Sequence, residues 1–494
     1  MGQHDRPGRY STASAALTIR AADLGGPRPV DIEIAAGAVR RLREVGQGAA
    51  GPTLEADGGA VLPGLHDHHV HLRALAATLR SVPAGPPDVR DPAGFRAALR
   101  RGREVAVAAG RSWVRAVGYH ESVAGRLDRH ALDAVLDDLA VRVQDRSGAM
   151  WTVNSRAVED LGLDAVDDPG VERDAAGRPT GRLFRMDGWL RGRTGDAPDG
   201  AADLALLSRE AAARGVTGFT DATPDLAPEE LEYWARAVGE GALLQHLTVM
   251  WSLHPGLGPP PPGVGAGPVK ILLDDVSLPV PDELAERIGR AHELGRPVAV
   301  HCVTRAQTVV TTAALARAGS IGGDRIEHGS LIPAELVPDL VRAGITVVTN
   351  PSLVHDRGDR YLEDVEPADR DDLYRCASLV GAGVRVAAGT DAPFGNPDPW
   401  VSVRAAVGRR TAAGAPLGPG EAVDAGTAVN LFLGGPDSPA VARRVAPGHP
   451  ADLIVLDVPW TELHTSVGSA AAPLPPPLVR ATVVAGRVVH GGDT

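Results

Sequence analysis

At 494 residues, with 44% hydrophobic and 23% charged side chains, the chain can bury a large core and reads as globular, either as more than one domain or as one large barrel with additions. A formal net charge of -12 argues against nucleic acid as a partner and against docking on an anionic membrane. Two cysteines, Cys302 and Cys376, exclude a disulfide framework and a Cys-rich zinc finger, so a metal would have to use histidine and carboxylate.

From about residue 16 to 62 the chain reads as short strands and turns, alternating over Val30 to Ile34 and punctuated by Gly37 and by the glycines of 46–51. Next comes Val-Leu-Pro-Gly-Leu-His-Asp-His-His-Val-His-Leu at 61–72, an apolar entry that ends in four histidines within six residues. His69 and His71 lie two apart, and in an extended strand such side chains share a face, so both imidazoles can aim at one point just beyond a sheet edge. Residues 111–200 carry strands of their own, as at Trp113 to Gly118, and read as an insertion forming a lid or substrate wall. Tyr119, Arg146, Trp151 and Asn154 are its candidate pocket residues.

A repeated unit then sets in: a helical stretch, a glycine, and a short apolar run. It recurs at Gly215 into Val216, Gly295 into Pro297, Gly344 into Ile345 and Gly383 into Val384. With 61–71 as the first strand, the series continues at 216–221, 247–251, 269–273, 297–302, 325–328, 345–349 and 384–388. Eight strands alternating with helices imply an α/β fold, a (β/α)8 TIM barrel. Pro259 to Pro262 is a stiff connector within it, and Asn350, after the seventh strand, is a further pocket candidate. The chain's end returns to β character at 451–456 and 479–489. The expected domains are therefore a composite β-sandwich from 1–62 and 440–494, and a barrel over 63–439 that carries the 111–200 insertion.

Of 50 Lys plus Arg residues, Lys270 is the one lysine. It lies in an apolar run, Pro-Val-Lys-Ile-Leu-Leu, where an unpaired charge is costly, which suggests a position that guanidinium cannot fill. A buried, deprotonated amine can capture CO2 as a carbamate and arginine cannot; the alternative is an ammonium paired with a carboxylate such as Asp274. His301 and His328 end the fifth and sixth strands, and Asp391 follows the eighth in Gly-Thr-Asp-Ala-Pro. Six candidates thus stand at the same end of their strands: His69, His71, Lys270, His301, His328 and Asp391.

These residues resemble the amidohydrolase superfamily. The matching segments are Pro63-Gly64-x-x-Asp67-x-His69-x-His71, Lys270, His301, Arg325-Ile-Glu-His328, Gly389-Thr-Asp391-Ala-Pro393 and Gly448-His-Pro-Ala-Asp-Leu-Ile-Val-Leu. Within the superfamily the chain resembles the branch of N-substituted formamide deformylase and YtcJ-like proteins, through Gly118-Tyr-His-Glu121, Ser147-Gly-x-Met-Trp-x-x-Asn154-Ser and Gly177-Arg-Pro-Thr-Gly181. It departs from that branch at Ala149, where histidine is usual, and at Arg185, where glutamate is common, so no formamide substrate is carried over.

The resemblance implies one or two divalent ions, with zinc expected. His69, His71 and Asp391 would hold one ion, His301 and His328 the other, and carbamylated Lys270 would bridge both. It further implies hydrolysis of an amide or other non-peptide C–N bond by a metal-activated hydroxide, with Asp391 as general base and then acid. His120 and Glu121 are the next candidates for the base. Deamination of a heterocycle on the same barrel is the rival reading, but the run His301-Cys-Val-Thr-Arg-Ala-Gln307 lacks the acid such deaminases carry. A metal-free binding protein is the second alternative. The expected partner is a small-molecule substrate, with no nucleic acid and no membrane, and homo-oligomerisation is left open. No apolar run approaches a membrane span and the N-terminus lacks a signal-peptide core, so cytoplasmic residence is expected.

Overall fold

Eight short, mostly buried runs, four of them buried at every position, form one all-parallel sheet, as expected for strands covered on both faces. They are β1 Leu65–Val70, β2 Val216–Asp221, β3 His246–Trp251, β4 Val264–Ile271, β5 Val298–Cys302, β6 Arg325–His328, β7 Thr346–Thr349 and β8 Arg385–Ala388. Spatial order follows chain order from β1 to β8. The computed structural model describes residues 16–47, 51–86, 88–190, 193–194, 200–275, 277–467 and 478–491. Helices intervene between strands, among them Pro228–Gly239 after β2, Pro281–Glu293 after β4 and Arg305–Ala318 after β5. The glycine punctuation has a conformational cause: Gly344, at φ +64°, caps the helix Val337–Ala343 in the left-handed region and returns its N–H to Leu340 and Val341. Between β8 and β1 the chain closes through bonds beyond the regular ladder. The N–H of Asp391 donates to the carbonyl of His69 at 2.8 Å, and that of His71 to Ala392 at 2.9 Å.

The expected first strand over 61–71 is in fact two elements. Val61–Pro63 pairs antiparallel with Leu453–Leu456 in a different sheet, and only Leu65–Val70 enters the barrel. The break falls at Gly64, where a Cβ would sit 2.1 Å from the Thr217 side chain; only a glycine lets the chain pass so close to β2. Val61–Pro63 belongs to a four-stranded sheet ordered Arg487–His490, Val479–Val484, Leu453–Leu456, Val61–Pro63. A second four-stranded sheet orders Ala38–Glu44, Val30–Ala35, Leu17–Ala22 and Thr53–Glu55. Ile19, Ile32 and Ile34 from one sheet and Val61, Val455 and Val483 from the other share one buried apolar cluster. The outer ends of the expected composite domain, 1–15 and 492–494, and the stretch 468–477 lie outside the described residues.

The chain divides into two compact units, Met1–Leu72 with Leu204–Thr494, and Arg73–Asp203. The second begins well before residue 111, because helix Pro92–Ala108 belongs to it. Asp91 caps that helix by accepting from the Gly94 N–H, Pro92 opens it, and Phe95, Ala98 and Leu99 pack in one cluster with Val114 and Ala116. This unit holds its own six-stranded sheet, from Val171–Arg173 at one edge to Val82–Pro83 at the other. Among the described residues no helix is long and apolar enough to cross a membrane.

Candidate metal centre

The four histidines of residues 66–71 divide into two pairs. His66 and His68 lie in the barrel's buried core with rings stacked 4.6 Å apart, and burial holds both well below the ordinary imidazole range, hence neutral. His66 Nε2 meets the Thr220 hydroxyl at 2.9 Å. Opposite β2, Phe219 pairs with Asp67 but Asp221 pairs with Val70, so β1 holds an extra residue there, a bulge. His69 lies within the bulge, and His71 stands just outside the strand, tied to β8's exit through Ala392. The two imidazoles therefore converge through a bulge and a loop bond, where simple strand alternation had been expected.

Convergence is on Asp391, whose Oδ1 lies 3.7 Å from His69 Nε2 and 3.5 Å from His71 Nε2. One ligand atom from each of the three lies within 4.8 Å of the other two. Asp391 adopts φ +56°, uncommon for an aspartate, with its N–H tied to His69. Burial pushes its carboxyl up, but the imidazoles of His328, His71 and His69 outweigh this and hold it well below the usual carboxylate range. His328, also at positive φ, lies 3.8 Å from Asp391 Oδ2 through Nδ1, and its ring is 4.6 Å from that of His69 and 4.6 Å from that of His301. Lys270 is 6% exposed; burial lowers its ammonium to about 8, and its charge bears on Glu327 and Asp391. All six residues expected at the strand ends thus lie in the barrel unit, with His69, His71 and Asp391 as the tight group.

Two atoms test whether a divalent ion suits this donor set. His69 Nε2 and Lys270 Nζ are both buried without a hydrogen-bond partner, an arrangement that is costly for polar atoms in a core and relieved by coordination. On its other nitrogen, Nδ1, His69 donates to Glu327, a fully buried carboxylate that also accepts from the Arg325 guanidinium. A metal-binding histidine is characteristically oriented in this way. Burial raises the Glu327 carboxyl, yet Arg325 and Lys270 hold it below its ordinary range, so it stays an anion. The site residues fit a divalent cation.

Glu327 and Asp67 lie within the Arg325–His328 and Pro63–His71 segments, but the roles of both emerge only in the fold. Asp67 Oδ1 accepts from the N–H groups of Thr390 at 2.9 Å and of His69 at 3.2 Å, which joins β1 to the end of β8. Its burial lifts the carboxyl to about 6. The i, i+2 spacing of Arg325 and Glu327 on one strand was the available signal for the first of these, since both side chains share a face.

The expected pocket residues Tyr119, Trp151, Asn154 and Asn350 all make internal hydrogen bonds. Asn154, fully buried, caps helix Ser155–Leu161. Its Oδ1 accepts from Ala157 and Val141, and its Nδ2 donates to the carbonyls of Leu136 and Leu139, so the amide is wholly spent within the insertion. The Trp151 indole donates to Asp187 at 2.8 Å and has the guanidiniums of Arg142 and Arg115 over its ring, and the Tyr119 hydroxyl donates to the Gly125 carbonyl. Asn350 is fully buried between His328 and Gly389. Of the other candidates for the base, His120 caps the short helix Glu121–Ala124.

Comparison with known proteins identifies the family. A family model described as the amidohydrolase family matches residues 53–490. N-substituted formamide deformylase of Arthrobacter pascens is 27% identical over 476 residues, covering 83% of this chain and 86% of its own length. Putative amidohydrolase YtcJ of Bacillus subtilis (strain 168) is 23% identical over 478 residues, covering 85% of this chain and 88% of its own. A solved structure of an uncharacterized metal-dependent hydrolase from Pyrococcus horikoshii superimposes with a TM-score of 0.69 at 19% identity, over 90% of this chain and 97% of that one, and shares the fold. The chain belongs to the amidohydrolase family and is a metal-dependent hydrolase of carbon–nitrogen bonds other than peptide bonds.

Proposed function

We propose that the protein hydrolyses the amide, or a related C–N bond, of a small molecule, with His69, His71 and Asp391 holding one divalent ion, zinc by choice of ligands. His301 and His328 would hold a second ion, and Lys270, as a carbamate, would bridge the two. The observation that carries the reading is the gathering of His69, His71 and Asp391 ligand atoms within 4.8 Å of one another at the end of the barrel strands. A bound divalent ion supplies Lewis acidity, which polarises a carbonyl oxygen and makes water more acidic. The protein's own residues do the rest. Glu327 and Arg325 keep His69 in one orientation, and Asp391 takes a proton from the attacking water and delivers it to the departing amine nitrogen.

The aminohydrolase alternative would need an acid close after His301. That stretch is committed instead to helix capping: Thr304 and Gln307 form a reciprocal capping box at the start of Arg305–Ala318, and Arg305 pairs with Asp369 at 2.6 Å. This supports amide hydrolysis over ring deamination. We also read the two end sheets, with their common apolar cluster, as one composite β-sandwich. The testing experiment is metal analysis of purified protein after dialysis, followed by a screen of N-acyl, N-formyl and cyclic amides. Between one and two metal equivalents and turnover on at least one amide class are expected. Active protein with only trace metal would overturn the proposal.

A further inference from the structure

Asn350 stands at a junction. Its side chain is fully buried at the end of β7, where Oδ1 lies 2.8 Å from Nδ1 of His328, the last residue of β6, and Nδ2 lies 2.8 Å from the carbonyl of Gly389, just past β8. The Gly389 carbonyl can only accept, so the amide must present its NH2 group there. Its oxygen is then turned to His328, and an oxygen acceptor demands a proton on Nδ1. A neutral imidazole carries one N–H, so Nε2 is left as a bare lone pair. Asp391 Oδ2, at 3.8 Å from the same nitrogen, is beyond hydrogen-bond reach and does not compete for it.

We propose that Asn350 is a positioning residue of the metal centre: it holds His328 as the Nδ1–H tautomer, which leaves Nε2 as the nitrogen able to ligate an ion, and it does not contact substrate. The proposal rests on the metal-dependent reading above. It gives His328 the counterpart of what Glu327 does for His69, with a neutral amide in place of a carboxylate. Asn350 also ties together two strand ends whose site residues, His328 and Asp391, both adopt positive φ, a conformation that surrounding bonds must maintain.

The test uses the full chain and two variants, with zinc itself as the probe. Protein labelled with 15N-histidine and stripped of metal reports the tautomer of His328, and competition against a chromophoric chelator reports zinc affinity. Wild-type protein is expected to show His328 protonated on Nδ1. Asn350→Ala should lose that preference and bind zinc about 10–100-fold more weakly, the range for losing such a partner. Asn350→Asp still offers an oxygen to the Nδ1–H and should stay within a few-fold of wild type, although its bond to Gly389 is lost. A wild-type Nε2–H tautomer would overturn the proposal. So would zinc affinity in Asn350→Ala equal to wild type, or an aspartate variant as weak as the alanine one, which would make Asn350 a strap and nothing more. If wild-type protein takes up no zinc, the metal reading fails separately, and the tautomer in metal-free protein still decides this point.

Discussion

Removing the Glu327 carboxylate tests the support of the metal centre most directly. Glu327 is wholly buried and receives both the Arg325 guanidinium, itself 2% exposed, and the His69 Nδ1–H. Glu327→Leu would leave Arg325 buried with only the His68 carbonyl, at 2.7 Å, among its described hydrogen-bond acceptors. Breaking one side of a buried pair costs about 3–5 kcal/mol. The barrel unit of roughly 360 residues has a melting entropy of about 0.8 kcal/mol/K, so the loss corresponds to a fall of roughly 5 °C in melting temperature. Zinc affinity should drop about 10–100-fold, because His69 loses the acceptor that orients it. The double variant Arg325→Met with Glu327→Leu removes both charges and should recover most of the melting temperature but none of the affinity. Thermal melts and chelator competition on the three proteins measure both quantities. A single variant with unchanged melting and affinity, or a double variant that regains full affinity, would refute the reasoning.

Asp391→Asn should retain the fold and much of the metal yet lose turnover, since an amide oxygen is a weak ligand and cannot take the proton; a near wild-type rate would move the base elsewhere. Lys270→Arg should keep a cation in β4 but lose the second metal equivalent, whereas Lys270→Ala should lose it and regain part of it with formate or acetate. A fully metallated, fully active arginine variant would eliminate the carbamate. For His246 and Asp452, paired at 2.9 Å, a pH dependence of stability is expected. Burial lowers His246, but the hydrogen bond to Asp452 and that carboxylate's charge together outweigh it and raise it; burial raises Asp452, but the His246 hydrogen bond and its other partners hold it low. The His246 contribution is complete below about pH 6.5 and fades as pH rises through its raised value, and that of Asp452 is complete above about pH 4 and fades as pH falls. Melting temperature between pH 6 and 9 should therefore decline more in wild type than in Asp452→Asn, and identical slopes would remove the pair from the account.

Much of the barrel was legible because its signals are local. A glycine that ends a helix, followed by four or five apolar residues, has few other solutions, and the strands from β2 to β8 fall within a few residues of the runs read from sequence. The placing of the six candidates at or just past strand ends follows from the same local signals, since a parallel barrel puts every strand end on one face. The outer boundary of the insertion was not, because helix Pro92–Ala108 has an unremarkable amphipathic pattern and joins that unit only by packing Phe95 and Leu99 with Val114 and Ala116.

Sequence by itself determined the chemistry available at the centre: which side chains can ligate a divalent ion, that only one lysine side chain exists to become a carbamate, and that no cysteine framework competes. Tertiary structure decided how those groups are held. That Val61–Pro63 leaves the barrel for another sheet, that a bulge in β1 delivers His69 and His71 to one carboxylate, and that Glu327 and Asn350 each take the far nitrogen of a histidine all depend on partners far away in the chain. Asn154 and Asn350 look alike in sequence, yet one is spent capping a helix and the other joins three strand ends. The physical reason is that a hydrogen bond is specified by the position of its acceptor, and 258 residues separate His69 from the carboxylate that orients it.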